Sequence, residues 1–99
     1  MKRRIRPEAR QDLRDIGDYI ARDDRRAARR FVRASRERCA FLAENPRVGR
    51  ERSDLGEGLR SFPVRNCVIF YRLLDGMVEI VNVIHGSRDV ESLLGRNDR

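Results

Sequence analysis

Apolar residues recur along the chain with two different periods, and the change of period divides it into a helical half and a strand half. Ala9, Leu13, Ile16 and Ile20 follow one another at spacings of four, three and four, which is a single stripe along a helix. Pro7 suits the first helical position, where its missing N–H costs nothing, and Glu8 favours the positive end of the helix dipole. Asp23 or Asp24 breaks the stripe and is placed to cap a second helix reaching about Glu44. On that helix Ala28, Phe31, Ser35, Cys39 and Leu42 share a face, with Phe41 beside them. Arg25, Arg26, Arg29, Arg33 and Arg36 cluster on the opposite face. Asn45-Pro46 ends the helix. Two antiparallel helices joined by a short acidic turn make an αα-hairpin, each helix with one oily side.

Strands account for the rest. Residues 2–6, KRRIR, form a short first strand whose clear core contact is Ile5. Residues 46–58, PRVGRERSDLGEG, read as a loop anchored by Val48 and Leu55. Leu59 to Arg65 is a strand in which Pro63 has no N–H to donate, so it belongs at an edge or carries a bulge. Cys67 to Leu74 follows, and Asp75-Gly76 is a strong hairpin turn because both positions tolerate positive φ. Met77 to His85 is apolar on both faces, as a central strand is. Gly86 breaks it, and Ser87 or Asp89 caps a last turn holding Val90, Leu93 and Leu94. The expected fold is α+β in the order β-α-α-β-β-β. An antiparallel meander sheet is covered on one face by the αα-hairpin, with a short C-terminal helical turn, all in a single domain over residues 1–99.

Charge changes the picture. Only Lys2 among the 23 basic residues is lysine, and the basic residues crowd the helical half. Residues 1–52 carry a net charge of +8 and residues 53–99 a net of −1. A basic half favours nucleic acid or an acidic protein segment, and charge alone does not choose between them. Cys39 and Cys67 fit no zinc spacing and no disulfide framework, so they are expected to be small buried hydrophobes in a reducing compartment. MKRRIRPEAR has no apolar run behind its charges and no stretch approaches a transmembrane length, so a cytoplasmic location without membrane contact is expected.

Candidate chemistry concentrates in LRSFPVRNCVIFYRLLDGMVEIVNVIHGSRD, from Leu59 to Asp89, which carries Arg60, Arg65, Arg72 and Arg88 together with the single histidine, His85. The A-x3-L-x2-I-x3-I stripe, NPRVG, GLRSFPV, CVIFYR and VIHGSRD, in this order and spacing, resemble the RelE/ParE superfamily of toxins from type II toxin–antitoxin systems. The last three point to the ParE branch. The resemblance implies a β-α-α-β-β-β fold, a small ParD-like antitoxin as partner, and toxicity through DNA gyrase without enzymatic action or cofactor. Contact with nucleic acid would come only through that target.

The RelE branch offers the alternative of a ribosome-dependent messenger RNA endonuclease. Such chemistry needs a base, an acid and cations around one phosphate. Arg60, Arg72, His85 and Arg88 would be its residues, but a second proton-transfer group is hard to name. Glu79 shares the facing parity of His85 on the last strand, yet six residues separate them by roughly 20 Å. The tail after His85 holds no tyrosine, histidine or lysine. His85 therefore reads as a strand-end ring bonded to the Gly86-Ser87 turn. Phe62, Phe70 and Tyr71 read mainly as core rather than as a base-stacking platform. Binding is expected over cutting, with Arg60, Arg65, Arg72 and Arg88 as target-binding candidates and no metal site.

Overall fold

A computed structural model describes residues 1–86. Arg88 and the expected C-terminal turn at Val90, Leu93 and Leu94 lie outside the described residues. The elements are β1 (Lys2–Ile5), α1 (Pro7–Ala21), α2 (Arg25–Glu44), β2 (Arg50–Glu51), β3 (Leu59–Val64), β4 (Cys67–Leu74) and β5 (Met77–His85). Pro7 opens α1, and Asp24 caps α2 by accepting the Ala27 N–H at 3.0 Å. Such a cap is worth about 1 kcal/mol. Asp75 and Gly76 turn the β4–β5 hairpin with φ of 42° and 76°.

The sheet order is β1-β5-β4-β3-β2, with β1 parallel to β5 and every other pair antiparallel. Both helices lie on one face. Ala9, Ile16, Phe31 and Leu42 meet Val64, Ile69, Tyr71, Val78, Ile80 and Val83 in one core cluster. Each large apolar side chain buried there contributes roughly 1.5–3 kcal/mol. The sheet's other face buries Phe70, Ser61 and Glu79.

Three features depart from the periodic reading. The loop contributes a fifth strand, β2, which pairs Arg50 with Ser61 and Glu51 with Arg60. Pro63 lies beyond the end of that pairing, where β3 itself is the edge. Leu55 is buried as expected, but Val48 is exposed, and its neighbour Gly49 is the buried residue that fastens the loop.

The third departure is a β-bulge in β5. Tyr71 pairs with Ile80 and Phe70 with Asn82, which leaves Val81 without an opposite residue on β4. The extra residue reverses the alternation, so Val78 and Ile80 face the helices before the bulge and Val83 faces them after it. Glu79 and His85 consequently end on opposite faces, although simple parity put them on the same one. Asp12 of α1 covers the irregularity. Its carboxylate accepts the Val83 N–H at 2.9 Å and the Asn82 side-chain amide at 3.4 Å.

Candidate functional site

Arg60 is drawn inward to the loop between α2 and β2. Its Nη1 donates to the Gly49 carbonyl at 2.8 Å and the Arg47 carbonyl at 3.2 Å, while Nη2 lies 3.3 Å from Glu51. The neighbouring Tyr71 hydroxyl donates to the Pro46 carbonyl at 2.9 Å and accepts the Gly49 N–H at 2.8 Å. A methyl carbon at Gly49 would lie 2.6 Å from Tyr71 Cε1, so only glycine lets the ring approach. Burial pushes the Tyr71 phenol up from its ordinary pKa, against the opposing pull of the Gly49 hydrogen bond and the Arg60 charge. Arg60 and Tyr71 together tie the NPRVG segment to the sheet.

Arg72 lies on the face away from the helices, where its Nε donates to the buried Glu79 carboxylate at 2.9 Å. Arg4 approaches the other oxygen of Glu79 at 3.9 Å. On the same face Arg52 is 6.0 Å from the Phe70 ring centroid and makes two hydrogen bonds to Asp54, at 3.1 and 3.0 Å. Those bonds hold the Asp54 carboxyl below its usual range. Arg60 and Arg72 therefore serve opposite faces. Arg65 stands five residues from Arg60, roughly 17 Å along the strand direction. Arg60, Arg65 and Arg72 do not make one patch.

Arg65 and His85 do come together. At the end of the sheet, the β3–β4 turn faces the turn between the helices across a recess of about 220 Å³. Arg30, Arg65, Asn66 and His85 rim it, over a floor that includes Phe31 and Cys67. The His85 ring meets Tyr19 of α1 edge-on, with centroids 5.8 Å apart. Gly86, with φ of 79°, donates its N–H to the Asn66 carbonyl at 2.9 Å.

Two surfaces escaped the sequence reading. A groove of about 750 Å³ runs between α1 and α2, floored by Leu13, Phe31 and Cys39 and rimmed by Arg10, Arg14, Arg29, Arg33 and Arg36. The arginine periodicity of α2 was visible, but Arg10 and Arg14 join it only once the helices pack. Burial pushes the Cys39 thiol up, partly offset by the charge of Arg3, so it is a packing group rather than a nucleophile. Phe41 is 40% exposed and stacks on Phe62 at 5.6 Å, with Arg38 lying 5.9 Å from the Phe62 centroid. Their contact spans α2 and β3, which no local pattern reveals. Among the described residues, no group of three His, Cys, Asp or Glu could hold a metal ion, and no helix is long and apolar enough to cross a membrane.

A two-helix hairpin across one face of this mixed sheet is the architecture of a small toxin domain from toxin–antitoxin systems. A chain from the chromosomal ParDE TA system from P. aeruginosa superposes with a TM-score of 0.73, covering 88% of this chain and 97% of that one at 19% identity. The family model for the ParE toxin of type II toxin-antitoxin system, parDE, matches residues 3–90, and the chain belongs to that family. Toxin ParE3 of Caulobacter vibrioides is 40% identical over 55 residues, 56% of this chain. The match spans about half the length of that curated relative, 55%.

Proposed function

We propose that this chain is the toxin of a toxin–antitoxin pair, held inactive by a ParD-like antitoxin and acting on DNA gyrase by binding rather than by cleavage. The carrying observation is the fate of the groups that a nuclease would need. Arg60 is occupied by the loop carbonyls, Arg72 by Glu79, and Glu79 lies on the opposite face of the sheet from His85. An acid, a base and phosphate-binding cations must surround one scissile bond. These do not. The exposed features are those of docking surfaces: a long groove of apolar floor and basic rim, and a stacked aromatic pair flanked by an arginine. Aromatic residues and arginine are the side chains that dominate binding hot spots.

Among the described residues, five arginines rim the interhelical groove and Asp18 is the one acidic residue lining it. That balance favours an amphipathic antitoxin segment with acidic flanks, which folds as it binds. Gyrase would be met by surfaces that remain open in the free toxin, with Arg65 as a contact candidate; Arg88, the other candidate, lies outside the described residues. The reading requires no cofactor and no metal.

A supercoiling assay tests it. Purified toxin should inhibit gyrase in proportion to its concentration, and prior mixing with the antitoxin should restore activity. Unimpaired supercoiling at large molar excess would sink the gyrase reading. If primer extension on translated messenger RNA instead showed new cleavage ends that vanish in His85→Ala, the endonuclease alternative would replace it.

A further inference from the structure

The recess at the end of the sheet lies apart from the interhelical groove and from the Phe41–Phe62 pair. Arg65 occupies the first position of the two-residue β3–β4 turn with φ of 55°, in the left-handed region that favours glycine or asparagine. At the corresponding position of the β4–β5 turn the chain places Asp75, a residue type that tolerates this region. Arginine has no such ease. Among the described residues its guanidinium has no hydrogen-bond or ion-pair partner to set against that strain. Backbone strain at an exposed turn is a mark of a position kept for function, and here it carries a guanidinium into the recess.

The surroundings define what that is. Arg30, whose guanidinium stands 4.0 Å from Asp24 at the margin of an ion pair, approaches from α2. Asn66 adds an amide and His85 an imidazole, the latter braced by Tyr19. Two guanidinium groups with an amide and a ring nitrogen suit an oxyanion. Below them the floor is apolar, with Phe31 and Cys67. A recess of about 220 Å³ with an apolar floor accepts a carboxylate carried on methylene groups. A phosphate of duplex DNA sits on a rigid rod and cannot enter such a hole. We propose that Arg30, Arg65, Asn66 and His85 form a socket for one acidic side chain, aspartate or glutamate, of the antitoxin. This assignment rests on the reading of the chain as the toxin of such a pair, and it adds a point contact separate from the interhelical groove.

The test has two arms. In the first, isotope-labelled toxin is titrated with N-acetylglutamate and, in parallel, with inorganic phosphate. N-acetylglutamate should produce saturable NMR shifts at the Arg30 and Arg65 side-chain N–H groups and the His85 ring, and Arg65→Gly should abolish them. Equal or stronger saturation by phosphate, or shifts spread over the surface arginines, overturns the carboxylate assignment. In the second arm, antitoxin release is timed from wild-type and Arg65→Gly toxin. Loss of one charge-assisted contact should speed release about ten- to a hundredfold. The variant should melt no lower than wild type, because glycine relieves the strained φ, so weakened binding cannot be blamed on misfolding. An unchanged release rate, or a lowered melting temperature, overturns the socket and leaves the toxin reading standing. A wild-type toxin that binds no antitoxin at all defeats the toxin reading itself.

Discussion

At the scale of single residues, the tightest constraint is Gly49 against Tyr71. The ring lies where any side chain on residue 49 would have to go, and its hydroxyl serves both the Gly49 N–H and the Pro46 carbonyl. Gly49→Ala forces ring or loop to shift and should cost about 1–3 kcal/mol. Tyr71→Phe keeps the packing but strands the Gly49 N–H, for about 1–3 kcal/mol. Because the hydroxyl is the atom that a new methyl group meets first, Tyr71→Phe should recover part of the loss in the Gly49→Ala background. Denaturant titration of the four proteins measures that coupling, and simple additivity would show that the two residues act independently. The same phenol predicts a pH effect. Its folded-state pKa is raised above the unfolded value of about 10, so its contribution is complete below about pH 10 and is lost as pH rises through the folded value. Tyr71→Phe should flatten the alkaline limb of the stability profile.

Between elements, the informative contact joins α1 to the bulge of β5. A bulge leaves backbone groups outside the ladder, and Asp12 meets one of them, the Val83 N–H. The carboxylate also joins segments 71 residues apart in sequence, so it fixes how the helical hairpin sits on the sheet. Asp12→Ala should cost about 1.5–3 kcal/mol, the range for hydrogen bonds to charged groups. Each kcal/mol corresponds to roughly 4–8 °C in melting temperature for a domain of this size. Asp12→Asn retains an acceptor oxygen and should lose less. Equal melting temperatures for wild type and Asp12→Ala would mean that the bulge is held by strand pairing alone.

For the whole molecule, the division of charge acquires a location. Much of the surplus positive charge of residues 1–52 lies along the groove between the helices, while Arg60 and Arg72 of the sheet are paired with Glu51 and Glu79. A basic groove steers an acidic partner and accelerates encounter in a salt-dependent way. Arg29 and Arg33 are exposed, one turn apart, and repel each other slightly. Reversing both to glutamate should leave the melting temperature nearly unchanged while slowing antitoxin association about tenfold or more at low salt. Stopped-flow mixing across a salt series checks this. An association rate unaffected by the reversal would place the antitoxin elsewhere.

The order of elements and the composition of the helix-facing core were legible from the sequence, because they follow from local period. The stripe from Ala9 to Ile20, the Pro7 and Asp24 helix starts and the Asp75-Gly76 turn depend on neighbours within a few residues. The motifs in the strand half also pointed to the family to which the chain belongs. Tertiary structure decided what those patterns could not carry. One unopposed residue, Val81, reversed the facing of everything after it and separated Glu79 from His85. Arg60, Arg65 and Arg72 look alike in the sequence, yet one ties down a loop, one neutralises a buried carboxylate, and one stands strained at the rim of a recess. The role of a guanidinium is set by the acceptor it reaches across the fold, and that acceptor is distant in sequence.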